Sequence, residues 1–290
     1  MLAVQVWSVQ HGAMQRRAHE LRMTEKSGVP ICWVQRGSKG SVVVFVSGYL
    51  AGRQVWAMQG ARLSRRWTVV TYDRRGVGDS GRPEHGYGLD ENINDLLAVI
   101  NATEAAQVHL VGHSMGGFIA QGFALAHPDR LLSLSVLSSA PYRTTRADFG
   151  VGIFVDGEGG PLRWDQQGLD RAIDLLVPEP NQSWVRLNLR EGLPSALDPL
   201  QSVKTFQAFD GIDFRPRLHE INAPTLVIHG DHDRVVKTSI GRLLAEGIPR
   251  ARFEVLSGIG HLPMVTDADR VCQLLEEHWS TVELELGERA

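Results

Sequence analysis

Short, continuous apolar runs recur along this chain and alternate with longer amphipathic stretches. Runs of this kind lie at Val108–Val111, Leu131–Ser138 and Pro224–His229, and Arg252–Leu256 indicates a further strand. Such runs are typical of strands buried on both faces of a parallel sheet. The longer run Met115–His127 favours a helix. Alternation of such strands with helices predicts an α/β fold.

A long insertion interrupts this alternation before the strand at Pro224–His229. In it, Leu169, Ile173 and Leu176 follow one another at helical spacing before Pro178, which predicts an amphipathic helix. Short helices over a cleft fit this pattern, so we expect the insertion to form a helical lid. A second amphipathic piece is indicated by Leu197, Leu200, Lys204 and Phe206.

The first part of the insertion has a different composition. The segment 155–168 is rich in glycine and acidic residues and has no clear period, which indicates a loop. Its acidic side chains are either solvated or face a cationic substrate. Trp164 and Trp184 either pack within the insertion or offer a flat surface to the substrate, and they are its candidate substrate-binding residues.

The most informative motif is GHSMGG at Gly112–Gly117, which contains the pattern G-x-S-x-G around Ser114. The glycines two before and two after this serine lack Cβ atoms, so a strand and a helix can approach closely and expose the serine hydroxyl. The predicted strand before the motif and the helix after it supply the required context. Ser114 is therefore the candidate nucleophile. The alternative is a glycine-rich turn that only packs the helix, which would leave Ser114 without catalytic partners.

Two later loops hold candidate partners for this serine. Asp231 and Asp233 follow the strand predicted at Pro224–His229, and His261 follows the strand predicted at Arg252–Leu256. A serine hydroxyl is a weak nucleophile near neutral pH, so an imidazole must take its proton, and a carboxylate must hold that imidazole in the correct tautomer. The three residue types together predict nucleophilic catalysis with His261 as general base.

Several motifs together resemble the α/β-hydrolase superfamily from about Gly28 onwards. SGVPICWVQRG and SVVVFVSGYL look like its opening hairpin and third strand, and Val69–Pro83 (VVTYDRRGVGDSGRP) is similar to its fourth strand and following loop. The resemblance implies a mostly parallel eight-stranded sheet flanked by helices, with a helical lid inserted after strand six. The implied boundaries are an N-terminal extension at 1–22, a core at 23–140 and 219–290, and a lid at 141–218.

The resemblance also assigns roles in the site. In the family the acid and then the histidine follow the serine. The acid lies three residues beyond the glycine that ends its strand, and Gly230 makes this Asp233. The family's oxyanion hole uses the amide after the nucleophile, here Met115, and one from the loop after the third strand, here Tyr49. Most relatives carry His-Gly in that loop, whereas this chain has Ser47, which changes how the loop is held.

The other histidines and acids have structural interpretations. His113 is expected to shape the turn at Ser114, because a second base beside the nucleophile would be redundant. His229 and His232 lie close to aspartates, but a metal site usually draws a ligand from elsewhere in the chain and the triad already explains this loop. Asp73 lies on the family's structural loop. We therefore expect neither a metal ion nor a cofactor.

Composition narrows the class of protein. The chain has 290 residues, 43% hydrophobic and 22% charged, enough for one large core plus an insertion. Its net charge of −3 and the lack of interleaved basic and aromatic residues argue against nucleic acid binding. Cys32 and Cys272 are expected to be buried thiols. No apolar stretch suits a membrane span or a secretory signal, so we expect a cytoplasmic protein without a membrane partner. The sequence does not indicate its oligomeric state.

We expect hydrolysis of a small-molecule carboxylic ester or lactone through an acyl-enzyme. A more specific resemblance is to the serine-dependent macrolide esterases, which confer antibiotic resistance, because Asp156, Glu158 and Asp165 could accept a large ring with a protonated amino sugar. Dehalogenases and epoxide hydrolases carry aspartate at the position of Ser114, which argues against both. The alternatives are a carbon–carbon bond hydrolase, a perhydrolase or an acyltransferase of the same fold, and a slow-turnover ligand receptor, which turnover number would distinguish.

Overall fold

A computed structural model describes residues 20–26, 28–49, 51–143, 166–178, 182–196 and 204–288. The strands in these ranges are β1 Arg22–Lys26, β2 Val29–Arg36, β3 Val42–Val46, β4 Thr68–Tyr72, β5 Val108–His113, β6 Leu131–Leu137, β7 Thr225–Gly230 and β8 Ala251–Leu256. They form one eight-stranded sheet in the order β1-β2-β4-β3-β5-β6-β7-β8. Strand β2 is antiparallel to β1 and β4, and all other neighbours are parallel. The predicted mostly parallel sheet is confirmed.

The central strands are buried on both faces. Every residue of β4, β5 and β7 is buried, and Val44, Leu110 and Val227 have no exposed surface. Burial of each such side chain contributes about 1.5–3 kcal/mol to the stability of the fold. This burial explains why the strands appear in the sequence as continuous apolar runs and not as alternating patterns.

Helices cover the sheet. They are α1 Ala57–Leu63, α2 Leu89–Ala102, α3 Met115–Ala126, α4 Gln166–Leu176, α5 Ser183–Ala196, α6 Thr238–Gly247, α7 Pro263–Thr266 and α8 Ala268–Gly287. Helix α1 packs against α8, helix α2 packs against α3, and α3, α6 and α8 contact the strands. The helix predicted at Met115–His127 is confirmed to within one residue at its end.

The parallel strands bring three distant loops together. Ser114 follows β5, Asp233 follows β7 and His261 follows β8. These strands belong to the run of neighbours β5-β6-β7-β8. Because parallel strands end at a common edge of their sheet, side chains that follow their carboxyl ends meet there.

Helix α4 confirms the first element predicted in the insertion. Leu169, Ile173 and Leu176 are all buried on it, as their helical spacing requires. The helix lies between β6 and β7 in the chain. The role of this insertion as a lid remains a prediction.

Helix α5 has no counterpart among the predicted elements. It exposes Trp184 and Leu187, at 50% and 44% of their surface, so its apolar residues do not mark one clean buried face. In the second predicted piece, Leu197 and Leu200 lie outside the described residues, whereas residues 204–207 are helical.

The two cysteines are free thiols, as expected. Cys32 lies in β2, Cys272 lies in α8, and both are buried. Burial raises the pKa of the Cys272 thiol to about 11, which keeps it protonated and unreactive. None of the helices in the described ranges is long and apolar enough to cross a bilayer.

Candidate active site

Ser114 occupies a strained turn between β5 and α3. Its φ of 51° and ψ of −118° place a residue with a Cβ in backbone space that favours glycine. A Cβ added to Gly112 would lie 2.4 Å from the Gly116 carbonyl oxygen, and one added to Gly116 would lie 2.3 Å from the carbonyl oxygen of Val46. The glycines of the motif are therefore required by close backbone packing, as the sequence predicts.

Hydrogen bonds hold Ser114 in this conformation. Its amide donates to the Leu137 carbonyl at 2.9 Å. Its carbonyl accepts from the Ser139 hydroxyl at 2.7 Å and from the Gly117 amide at 2.8 Å. These bonds to the backbone of Ser114 allow the surrounding structure to sustain the strain.

His261 faces both of its predicted partners. Its Nε2 lies 3.0 Å from Ser114 Oγ, and its Nδ1 lies 2.8 Å from Asp233 Oδ2. An ionised carboxylate only accepts hydrogen bonds, so Nδ1 carries the proton and Nε2 is left to accept from the serine hydroxyl. The amide of His261 donates to the carbonyl of Leu176, the last residue of α4, at 3.1 Å. The insertion therefore touches the histidine loop directly.

Asp233 is buried and fully engaged. Its Oδ1 accepts from the amides of Val235 and Val236 at 2.8 and 2.9 Å, while Oδ2 faces His261. Burial opposes ionisation of this carboxyl group, but the charge of His261 and hydrogen bonds from His229 and His261 outweigh it and lower its pKa. The carboxylate is therefore ionised near neutral pH.

Asp231 has a different role. It is exposed, and its carboxylate accepts from the Gly258 amide at 2.6 Å and from the Ser257 hydroxyl at 3.2 Å. These bonds tie the loop after β7 to the turn after β8. Of the two aspartates that the sequence offers, only Asp233 contacts His261.

His229 is a neighbour of Asp233 that the sequence interpretation left unassigned. It is fully buried, and its Nε2 lies 3.2 Å from Asp233 Oδ2 and 2.9 Å from the Val236 carbonyl oxygen. Its position four residues before the acid, at the end of a buried strand, is a signal that sequence reasoning could have used. His232, by contrast, is exposed.

His113 supports the histidine loop. Its Nε2 donates to the backbone carbonyl of His261 at 2.8 Å, and its ring meets that of Trp56 edge-on. Burial, reinforced by the nearby His261 ring, lowers the pKa of His113 to about 3, so the ring is neutral at physiological pH. It therefore serves as a fixed hydrogen-bond donor, which agrees with the structural role expected from the sequence.

The two predicted oxyanion amides lie on elements that flank Ser114. Met115 is the first residue of α3, so its amide has no acceptor one turn earlier in the helix. A Cβ on Gly48 would lie 3.1 Å from Ser114 Cβ, which puts the loop of Ser47, Gly48 and Tyr49 directly against the nucleophile. Ser47 is fully buried and its hydroxyl donates to the Gly52 carbonyl at 3.1 Å.

The candidate substrate-binding residues are only partly described. Trp164 lies outside the described residues, as do the acidic residues Asp156, Glu158 and Asp165. Trp184 is half-exposed on α5. An aromatic contact that the sequence interpretation missed joins Tyr49 to Phe206, whose ring centroids lie 5.4 Å apart.

Among the described residues, one cluster has the spacing of metal ligands, formed by Cys32, Asp73 and Asp79. The guanidinium of Arg53 donates to both carboxylates of this cluster. A cation of the protein itself therefore already neutralises the two acids. The amides of Arg53 and Asp79 also donate to Asp73, at 2.7 and 3.0 Å, so Asp73 organises its own loop.

Comparison with known sequences agrees with this geometry. A sequence profile of the family described as alpha/beta hydrolase fold matches residues 41–268. The chain therefore belongs to the α/β-hydrolase fold family and is a hydrolase of that fold. It is similar to RutD of Caulobacter segnis, which is provisionally named a carbamate hydrolase, at 33% identity over 253 residues, covering 82% of this chain and 92% of the relative. RutD of Azorhizobium caulinodans is 31% identical over 230 residues, covering 74% and 82%.

Solved structures show the same architecture. A membrane phospholipase A, described as a bacterial virulence factor, superimposes with a TM-score of 0.83 at 22% identity and covers 97% of this chain and 93% of its own. At that identity the likeness shows the fold alone. An N-acyl homoserine lactone degrading enzyme gives a TM-score of 0.75 at 26% identity, covering 88% of this chain and 99% of its own.

Proposed function

We propose that this chain is a serine hydrolase that cleaves a small-molecule carboxylic ester or lactone through an acyl-enzyme. Ser114 is the nucleophile, His261 the general base and Asp233 the acid that orients it. The observation that carries the proposal is the unbroken hydrogen-bonded path from Ser114 Oγ through both ring nitrogens of His261 to Asp233. The contacts among nucleophile, base and orienting acid support this proposal, because acyl transfer by a serine needs these three groups in hydrogen-bond reach of one another.

In the first half of the reaction the serine is acylated. Ser114 Oγ attacks the substrate carbonyl carbon while its proton passes to His261 Nε2. The tetrahedral intermediate then breaks its bond to the leaving alcohol, and His261 returns the proton to that oxygen. Asp233 stabilises the imidazolium formed between these steps. With a lactone, the alcohol stays attached to the acyl group.

In the second half a water molecule replaces the alcohol. His261 takes a proton from this water, and the resulting hydroxide attacks the acyl carbon. The bond to Ser114 Oγ then breaks as His261 returns the proton to that oxygen. The amides of Met115 and Tyr49 are proposed to receive the oxyanion in both intermediates. Removal of one such donor typically costs about 2.7–4 kcal/mol of transition-state stabilisation, so the amides are a large share of the catalysis.

Carbamate hydrolysis is a second candidate, favoured by the RutD relatives at 31% and 33% identity. The same residues can perform it, because a carbamate also presents a carbonyl carbon with a leaving group. Its carbonyl is less electrophilic, since the nitrogen donates electron density, so a carbamoyl-enzyme would form and break down more slowly. The macrolactone prediction gains no support from the relatives named above, because they are not macrolide esterases. The acidic segment on which that prediction rests lies outside the described residues.

A substrate panel tests the proposal. We expect purified protein to release 4-nitrophenol from short acyl esters and to open simple lactones, and Ser114→Ala to abolish both reactions. Ser135→Ala is the control, because Ser135 lies in the neighbouring strand β6, is buried there and has no predicted role. Turnover by Ser114→Ala at the parent rate would show that the nucleophile is another residue.

The same panel separates the candidate functions. Faster steady-state turnover of a 4-nitrophenyl carbamate than of the matching ester would favour a carbamate hydrolase. A burst of one equivalent followed by slow release from the carbamate alone would favour the ester or lactone hydrolase. Tight binding of a panel member without release of product would favour the receptor.

A further inference from the structure

Arg74 is a buried cation that the triad does not use. Only 1% of its surface is exposed. Among the described residues no carboxylate lies within ion-pair distance of its guanidinium. The neighbouring Asp73 is engaged by Arg53 and by the amide of Asp79. A buried charge without a counter-ion is costly, so its hydrogen bonds have to compensate.

Among the described residues, the hydrogen-bond partners of the Arg74 side chain all lie beside the nucleophile. Nε donates to the carbonyl of Ser47 at 3.1 Å, and Nη2 donates to the carbonyl of Gly48 at 2.8 Å. Nη1 lies 3.8 Å from the sulfur of Met115. One side chain thus contacts both segments that supply the proposed oxyanion amides.

The bond to Gly48 has a consequence for Tyr49. The carbonyl of Gly48 and the amide of Tyr49 belong to one planar peptide unit. A cationic donor on that carbonyl draws electron density toward its oxygen, which makes the amide at the other end of the unit a stronger donor. It also fixes the plane of the peptide, and therefore the direction in which the Tyr49 N–H points.

We propose that Arg74 is a positioning residue that holds and polarises the Gly48–Tyr49 peptide as one arm of the oxyanion hole. The inference rests on the proposed function, since it assumes that Tyr49 is an oxyanion donor. It also explains how this chain holds the loop with Ser47 in place of the usual histidine. Hydrogen bonds to the carbonyls of Ser47 and Gly48 offset the cost of burying the guanidinium, and the bond to Gly48 strengthens when the oxyanion forms.

The adjacent Arg75 provides a matched control. It is also buried, but its Nε and Nη2 each donate to the carboxylate of Asp95 at 2.7 Å. Arg75 lies in the loop that follows β4, and its charge is neutralised by Asp95 on α2. A substitution at Arg75 reports the cost of disturbing a buried arginine in this loop, without a direct contact to Ser47 or Gly48.

The test is the rate at which a fluorophosphonate labels Ser114, which requires the nucleophile and the oxyanion hole but no natural substrate. We expect Arg74→Met to lower the second-order labelling rate by about 10- to 100-fold, less than full removal of an oxyanion donor. For a 4-nitrophenyl ester, kcat should fall by a similar factor while KM stays within about threefold, because the interaction strengthens in the transition state. Arg74→Lys keeps the charge but not the forked N–H donors of the guanidinium, so its labelling rate should lie between those of Arg74→Met and the parent. Arg75→Lys should lower the melting temperature and leave the labelling rate unchanged.

Each outcome decides the inference. Labelling of folded Arg74→Met at the parent rate would overturn it, as would an equal loss of labelling in Arg75→Lys. If Arg74→Met does not fold, Arg74→Lys decides, and labelling of that variant at the parent rate refutes the role. Failure of the parent itself to be labelled would instead contradict the proposed function, and this inference with it.

Discussion

Asp233 illustrates how one side chain serves two structural tasks. Its Oδ1 closes the loop after β7 through the amides of Val235 and Val236, while its Oδ2 faces His261 and His229. The loop thus holds the carboxylate in place, and the carboxylate in turn orients the imidazole. Preorganisation of this kind allows one oxygen to orient His261 without a search among rotamers.

We predict that Asp233→Asn lowers kcat by about 10⁴-fold while the fold persists, because an amide can donate to Nδ1 and stabilise the wrong imidazole tautomer. The measurement is kcat for a 4-nitrophenyl ester together with the circular dichroism spectrum. Asp231→Asn is the matched control and should keep kcat within about threefold, since the Asp231 carboxylate bonds to the turn at Ser257 and Gly258 and not to His261. A larger loss of kcat in Asp231→Asn than in Asp233→Asn would reverse the assignment.

At the scale of elements, β5 and α3 meet at the turn of Ser114 with almost no space between their backbones. A Cβ on Gly116 would lie 2.3 Å from the Val46 carbonyl oxygen, and one on Gly112 would lie 2.4 Å from the Gly116 carbonyl oxygen. Neither obstacle is a flexible side chain. The close approach of strands β3 and β5 to helix α3 therefore depends on glycine at both positions.

We expect Gly116→Ala to reduce the free energy of unfolding by about 1–3 kcal/mol and to lower kcat, because α3 must move away from β3 to make room. Chemical denaturation and ester turnover measure the two effects. Gly287→Ala is the matched control, because this glycine ends α8 and an added Cβ there would meet no other packed element of the described residues within 4 Å. Equal stability of Gly116→Ala and the parent would show that the backbone contact is dispensable.

Strand β5 and helix α8 each carry a histidine shielded from solvent, His109 fully buried and His278 partly buried. His109 on β5 stacks on Trp279, and its Nδ1 lies 2.8 Å from Ser133 Oγ. Burial, with a smaller contribution from the charge of His278, lowers the pKa of His109 to about 3. Burial and the nearby Arg252 lower the pKa of His278 on α8 to about 4.

Both histidines are neutral in the folded protein and bind protons more readily once it unfolds. Their ordinary pKa is 6.5, so the unfolded chain gains protons as the pH falls below that value and stability is lost down to about pH 3–4. We predict that His109→Phe lowers the slope of the unfolding free energy against pH by at most about 1.4 kcal/mol per pH unit, because one of the two titrating histidines is removed. Denaturation between pH 7 and pH 4 measures the slope.

Ser133→Ala is the control for this prediction. It removes the hydroxyl partner of His109 but keeps the titrating ring, so it should lower stability without flattening the slope. If the parent and His109→Phe show the same slope of unfolding free energy against pH, then His109 does not contribute to the loss of stability in acid.

At the scale of the whole molecule, the candidate site depends on the carboxyl ends of strands that are distant in sequence but neighbours in one sheet. The nucleophile follows β5, the acid follows β7 and the base follows β8. The insertion between β6 and β7 reaches the same edge, because the Leu176 carbonyl accepts from the His261 amide. A change in the insertion can therefore alter the histidine loop without touching the triad.

We predict that a chain beginning at Glu20 keeps kcat within a few-fold of the full chain, because every residue assigned to the candidate site lies beyond it and β1 begins at Arg22. Steady-state kinetics on a 4-nitrophenyl ester check this for the purified truncated protein. Complete loss of activity in a folded truncation would show that the N-terminal extension contributes to the site.

The local sequence determined the elements and the identity of the reactive residues. Continuous apolar runs predicted the parallel strands, because a strand buried on both faces has no polar side. The glycines around Ser114 predicted its sharp turn, because only residues without a Cβ allow the strand and helix to approach so closely. Family resemblance selected Asp233 over Asp231 by its distance from Gly230, and the 2.8 Å contact with His261 agrees with that choice.

Only the tertiary structure decided what surrounds these residues. Helix α5 was not predicted, since its exposed Trp184 and Leu187 give no clean helical stripe. His113 and Arg74 act through backbone carbonyls of residues distant in sequence, which no local pattern encodes. The sequence specifies which side chains can react because that property is chemical and local. The fold decides which of them meet, because that depends on the order of strands in the sheet.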